Sequence, residues 1–127
     1  MDRNLNSSKN DTNIPKMTTY FFGKIGEAVY ILATHSGNIK RRLMVAGVKM
    51  LLIPPDEVPE DVRNDIKWIR KQLTRLAPIE EENSLARMRW TLHMSKYPSC
   101  VKIAQKILNI YGKLQDYVER EDLKRKD

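Results

Sequence analysis

The chain has 127 residues, one cysteine, 31 % charged residues, and 23 Lys and Arg against 16 Asp and Glu, a formal net charge of +7. That length supports a single domain that buries about two-thirds of its unfolded surface without disulfides or metals, and Cys100, having no second cysteine, excludes an internal disulfide. No apolar run reaches the ~18 residues of a membrane span, because Lys49 splits the best candidate from Leu43 to Ile53, and the polar start is no signal peptide, so a cytoplasmic protein is expected.

Residues 1–17 are mostly Asn, Ser, Asp and Lys, a composition too polar to order itself, and are expected to form a flexible polar tail. A helical domain is expected over 18–118 and a charged C-terminal tail over 119–127. The first helix, capped by Thr18 or Thr19 and reaching about Thr34, turns Phe22, Ile25, Val29 and Leu32 inward. Gly37 and Asn38 stop it, and Ser36 or Asn38 caps a second helix from about Ile39 to Ile53. Ile39, Leu43, Ala46, Met50 and Ile53 share one face of that helix, while Met44, Val48, Leu51 and Leu52 point elsewhere. Such a helix is either sandwiched in the core or leaves an apolar face for a partner.

Pro54-Pro55 ends it, and Pro59-Glu60-Asp61 opens a third helix with a stripe of Val62, Ile66, Ile69, Leu73 and Leu76. A short helix near Ser84 to Met94 follows, with Leu85, Met88 and Leu92 expected inward. The last helix is the organising element. From Pro98 to Val118, Cys100, Ile103, Ile107, Ile110, Leu114 and Tyr117 form one apolar row, and Val101, Ala104, Leu108, Tyr111 and Val118 a second. Two rows cover roughly 200° of its circumference, which predicts a helix wrapped by neighbours. From Asp116 onward the mixed charges predict fraying. The period-two alternation of strands is absent, so the fold class is all-α, an irregular bundle of four to five helices around a long C-terminal helix.

Signals for chemistry are sparse. His35 and His93 have no acid or thiol at metal-ligand spacing, no Gly-x-Ser-x-Gly elbow accompanies a serine, and Gly23-x-x-Gly26 falls short of a nucleotide loop. No catalytic residue, metal or cofactor is expected, and the protein is read as a non-enzyme. Charge distribution says more: the acids gather in Asp56 to Asp65 and Glu80 to Glu82, while Lys40 to Lys49, Lys67 to Arg75 and Arg87 to Lys113 carry none.

Lys40, Arg41 and Arg42 stand in the first turn of the second helix, where each cation opposes the helix dipole at about 0.3 to 1 kcal/mol. They point either to anion binding or to pairing with Asp56, Glu57 or Glu80 to Glu82. Trp68 and Trp90 fall off the apolar stripes, beside Lys71, Arg75, Arg87 and Met94, in the composition of an interaction hot spot or a base-stacking platform. The primary expectation is a non-enzymatic helical interaction or regulatory module, binding a protein partner or itself through Trp68, Arg87, Trp90 and Met94. The alternative is sequence-nonspecific nucleic-acid binding through Lys40, Arg41, Arg42, Lys67, Lys71 and Arg75.

Overall fold

The computed structural model describes residues 16–126, with side chains over 19–124. Five α-helices make up the fold of the described residues: α1 (Lys16–Thr34), α2 (Ile39–Leu51), α3 (Glu60–Thr74), α4 (Ser84–Met94) and α5 (Tyr97–Lys126), with a 3-10 turn at Pro55–Glu57 between α2 and α3. Among the described residues there is no strand, and the fold is an all-α bundle around the long C-terminal helix. Most of the polar segment expected over 1–17 lies outside the described residues. Lys16 already opens α1, so residues 18 and 19 stand inside the helix rather than at its cap.

The local signals at the α1–α2 turn act as the chain predicts. Gly37 adopts φ 101°, the left-handed conformation that costs glycine nothing, and the Asn38 side-chain oxygen accepts a hydrogen bond from the Arg41 amide to cap α2. Asn83 caps α4 in the same way, through the Ala86 amide.

α1 packs on α2 and α5, α3 packs on α5 and α4, and α4 lies along α2. Between them sits one core, in which Ile25, Leu43, Met50, Ile66, Leu73, Met88, Ile107 and Leu114 are fully buried. α2 and α4 approach closely at Gly47, where an added Cβ would meet Met88 Sδ and oblige that side chain to shift.

Three expectations about faces and ends change. The first apolar row of α5 is buried from Cys100 to Leu114, together with Ala104, and Tyr117 is half-buried; Val101 and Leu108 of the second row face solvent, because α1 and α3 flank the helix without enclosing it. Leu85, expected inward on α4, is exposed. The last turns of α5 remain helical to Lys126, since Arg120 reaches Asp61 on α3, Lys124 pairs with Glu121, and Tyr117 and Val118 are half-buried.

Cations from neighbouring helices close four helix C-termini. Arg42 of α2 donates to Leu32 O of α1 at 2.8 Å and to Gly37 O at 3.2 Å. Arg70 of α3 donates from Nη1 to Leu51 O at 2.6 Å and Ile53 O at 3.0 Å, at the end of α2. Arg87 of α4 donates to Thr74 O, the last carbonyl of α3, and to Pro78 O and Glu81 O in the following joint. Lys40 of α2 donates to His93 O near the end of α4. A helix leaves its last four carbonyls without intrahelical donors and carries partial negative charge there, so a cation meets both needs. Lys40 and Arg42 therefore answer the ends of neighbouring helices rather than Asp56, Glu57 or Glu80 to Glu82.

Candidate functional site

The expected site residues divide accordingly. Arg87 is committed to three carbonyls, so it is a strut of the α3–α4 joint and not a surface hot spot. Trp68 is half-buried against the core, with Lys106 Nζ 5.4 Å from its ring centroid. Trp90 and Met94, one turn apart on α4, are 51 % and 60 % exposed. Trp68 and Trp90 therefore belong to different faces, because one packs toward α5 and the other points away from the core.

Among the cations, Arg42 caps α1 and carries no free fork for an anion. Lys67, Lys71 and Arg75 form an exposed stripe on α3 at spacings of four. They do not join Lys40, Arg41 and Arg42: Lys67 and Lys71 flank Arg70, which grips the C-terminal end of α2, about 20 Å from the first turn of that 13-residue helix. The six residues are two separate basic groups.

What the structure does bring together is the first turn of α2 with the last turns of α4 and the start of α5. Asn38 donates from Nδ2 to the Tyr97 hydroxyl at 3.1 Å, and Lys40 Nζ stands 5.3 Å from the Tyr97 ring centroid while holding His93 O at 3.1 Å. Beside this tie opens a cleft of about 530 Å³, lined by Asn38, Lys40, Arg41, Met44, Val45, Arg89, Leu92 and His93. Its floor is apolar, two of its cations, Arg41 and Arg89, are exposed, and no carboxylate lines it.

From the cleft an apolar surface continues along both helices. Arg41, Val45, Val48 and Leu52 follow one another at helical spacing along the outer face of α2, with Val45 38 % and Leu52 55 % exposed. Leu85, Arg89 and Leu92 line the facing side of α4, with Leu85 45 % exposed. The two helices run antiparallel, as the pairs Lys40 with His93 and Gly47 with Met88 require, so Leu52 and Leu85 lie at the end of the groove away from the cations. The sequence singles out Arg41 and His93 and puts Leu85 inward, but it gives no signal for Arg89, and only the α2–α4 pairing places the four in one groove.

Elsewhere the polar groups look structural. Cys100 is fully buried, and burial pushes its thiol up, with the charge of Lys40 acting weakly against that. No group of three His, Cys, Asp or Glu side chains that would hold a metal occurs among the described residues, and no helix there is long and apolar enough to cross a membrane. No family model, curated protein or solved structure matches the chain.

Proposed function

We propose that the protein is a non-enzymatic docking module, and that the α2–α4 groove holds an acidic segment of a protein partner that also carries apolar side chains. The observation that carries this reading is the cleft itself, with Met44, Val45 and Leu92 as apolar floor, Arg41 and Arg89 as exposed cations, and no acid in the lining. Exposed apolar surface rimmed by polar groups marks interaction sites, and charge of one sign selects a partner of the other. Trp90 and Met94 are exposed on α4 outside the lining of the cleft and offer a second apolar contact for a protein partner. Two copies meeting symmetrically through this face would bring together two basic linings without a carboxylate, which favours a different chain as partner.

Site-specific photo-cross-linking in the cells of origin tests this. A photoreactive residue in place of Val45 is expected to give a discrete protease-sensitive adduct, lost when Arg89→Glu is added and missing when the photoreactive residue replaces exposed Asn64 on α3. A nuclease-sensitive adduct would favour nucleic-acid binding instead, for which Lys67, Lys71 and Arg75 on α3 are the support. Equal adducts from both positions would overturn the docking reading.

A further inference from the structure

Resting on that docking reading, we infer that the groove accepts an amphipathic α-helix of three to four turns, whose apolar stripe lies along α2 and α4 and whose acidic end is its C-terminus. Length sets the first part. α2 offers 13 residues and α4 offers 11, rows of about 20 and 16 Å, the span of a partner helix of similar length. Two antiparallel helices with apolar residues at helical spacing form a trough of the kind that helices enter by side chains at i, i+3 or i+4 and i+7.

The asymmetry of the groove supplies the polarity. At one end stand Lys40 and Arg41, with His93 opposite and Arg89 midway along α4, and at the other end Leu52 and Leu85, with no cation between them. A helix presents partial negative charge at its C-terminus, so a segment with Glu or Asp in its last turn aims both its dipole and its side chains at the cations. An extended strand is disfavoured because the groove is walled by helices, whose backbone groups are already bonded and present no open sheet edge. A nucleic acid strand would set its phosphates against Met44, Val45 and Leu92, while the separate basic stripe on α3 lies elsewhere.

The test is fluorescence anisotropy of the full chain with labelled synthetic peptides of about 14 residues, a length matched to α2 at 1.5 Å per residue. One carries leucines at i, i+3, i+7 and i+10 with glutamates in its last turn. A second has lysines in their place, a third moves the glutamates to the first turn, and a fourth has the first peptide's composition scrambled off the stripe. A labelled single-stranded oligonucleotide completes the set. The first peptide is expected to bind tightest, to weaken from about 50 to 200 mM salt, and to lose at least about tenfold in affinity with Arg41→Glu plus Arg89→Glu and with Val45→Asp. These side chains are exposed, so unchanged circular dichroism and urea midpoints separate lost binding from lost fold.

Equal binding of the scrambled peptide would overturn the helical mode, and equal binding of the third peptide its polarity. No peptide binding, or tighter binding of the oligonucleotide at the same site, would overturn the inference altogether. A Val45 cross-link to a protein that persists beside such failures would leave docking standing and remove only the helix, so the two results fail separately.

Discussion

Arg70 and Arg41 are both cations on helices, yet they answer to different constraints. Arg70 Nη1 bonds Leu51 O and Ile53 O at the point where α2 ends against α3, and it is partly buried there. Removing a donor leaves those carbonyls without a partner, which costs about 1 to 3 kcal/mol. Arg70→Met is therefore expected to lower stability by that amount in urea unfolding, whereas Arg41→Ala, which removes no hydrogen bond to a carbonyl, is expected to stay within about 0.5 kcal/mol. Equal losses would mean that the cap is not what holds the α2–α3 joint. The anomaly of cations in the first turn of α2 was legible in the sequence, but their partners were not. Lys40 and Arg42 reach carbonyls of α4 and α1, because a long side chain can satisfy the end of a helix that no periodicity places beside it. Cys100 follows the simpler rule that an apolar position buries its thiol. Its raised pKa and burial predict negligible reaction with a disulfide reagent at neutral pH in the folded state, and full reaction on unfolding in denaturant.

At the scale of the element, the limits between α1 and α3 were legible because their signals are local, Gly37 in left-handed geometry, Asn38 as cap and Pro54-Pro55, whereas α1 opens before Thr18 and α5 runs on to Lys126. Which face a helix buries was legible only where a neighbour covers every apolar position. On α3 a single stripe suffices, and Val62, Ile66, Ile69 and Leu73 are all buried, while Leu76, expected on the same stripe, lies beyond the helix end and is exposed. On α2 and α5 the apolar residues exceed what the bundle can cover, so Val45, Leu52, Val101 and Leu108 emerge on the surface. The glycines divide by the same test of what stands opposite. Nothing lies within 4 Å of a Cβ built on Gly23 or Gly112, both helical, so Gly23→Ala and Gly112→Ala are expected to stabilise by roughly 0.5 to 1 kcal/mol each through helix propensity. A Cβ on Gly47 meets Met88 Sδ and has Leu73 Cδ1 at 3.5 Å, and both side chains are fully buried, so Gly47→Val is expected to destabilise by about 1 to 3 kcal/mol by displacing Met88 within the core. Thermal midpoints of the three variants check both signs. A stabilising Gly47→Val would show that the α2–α4 contact yields easily, and would weaken the case for a preformed groove.

Over the whole molecule the charges separate along α5. Its N-terminal end stands against Lys40, and its turns from Lys106 to Arg120 run beside Asp65 and Asp61, the acidic end of α3, about 14 to 35 Å further along at 1.5 Å per residue. The acidic end holds α3 to α5 chiefly through Asp65, whose carboxylate accepts from Lys113 at 2.8 Å and lies 3.5 Å from Lys106. Burial pushes that carboxyl up, but the hydrogen bonds and charges of Lys113 and Lys106 outweigh it and hold it below the ordinary aspartate value. A folded-state pKa below the unfolded one means that the unfolded chain binds the proton more readily. The contribution is thus fully present above the unfolded value of about 4, and is lost as pH falls through the lower folded value. Acidification also strips the acidic end of its counter-charges and raises a net charge already at +7, so self-repulsion acts in the same direction. The urea midpoint is expected to hold from pH 7 to about 4 and to fall steeply below it. Asp65→Asn should be less stable than wild type at pH 7 and should show a shallower fall, its curve meeting the wild-type curve at the acid limit. A wild-type midpoint that rises on acidification would mean that the lysines at Asp65 do not stabilise the α3–α5 contact, and that apolar burial alone holds the two helices together.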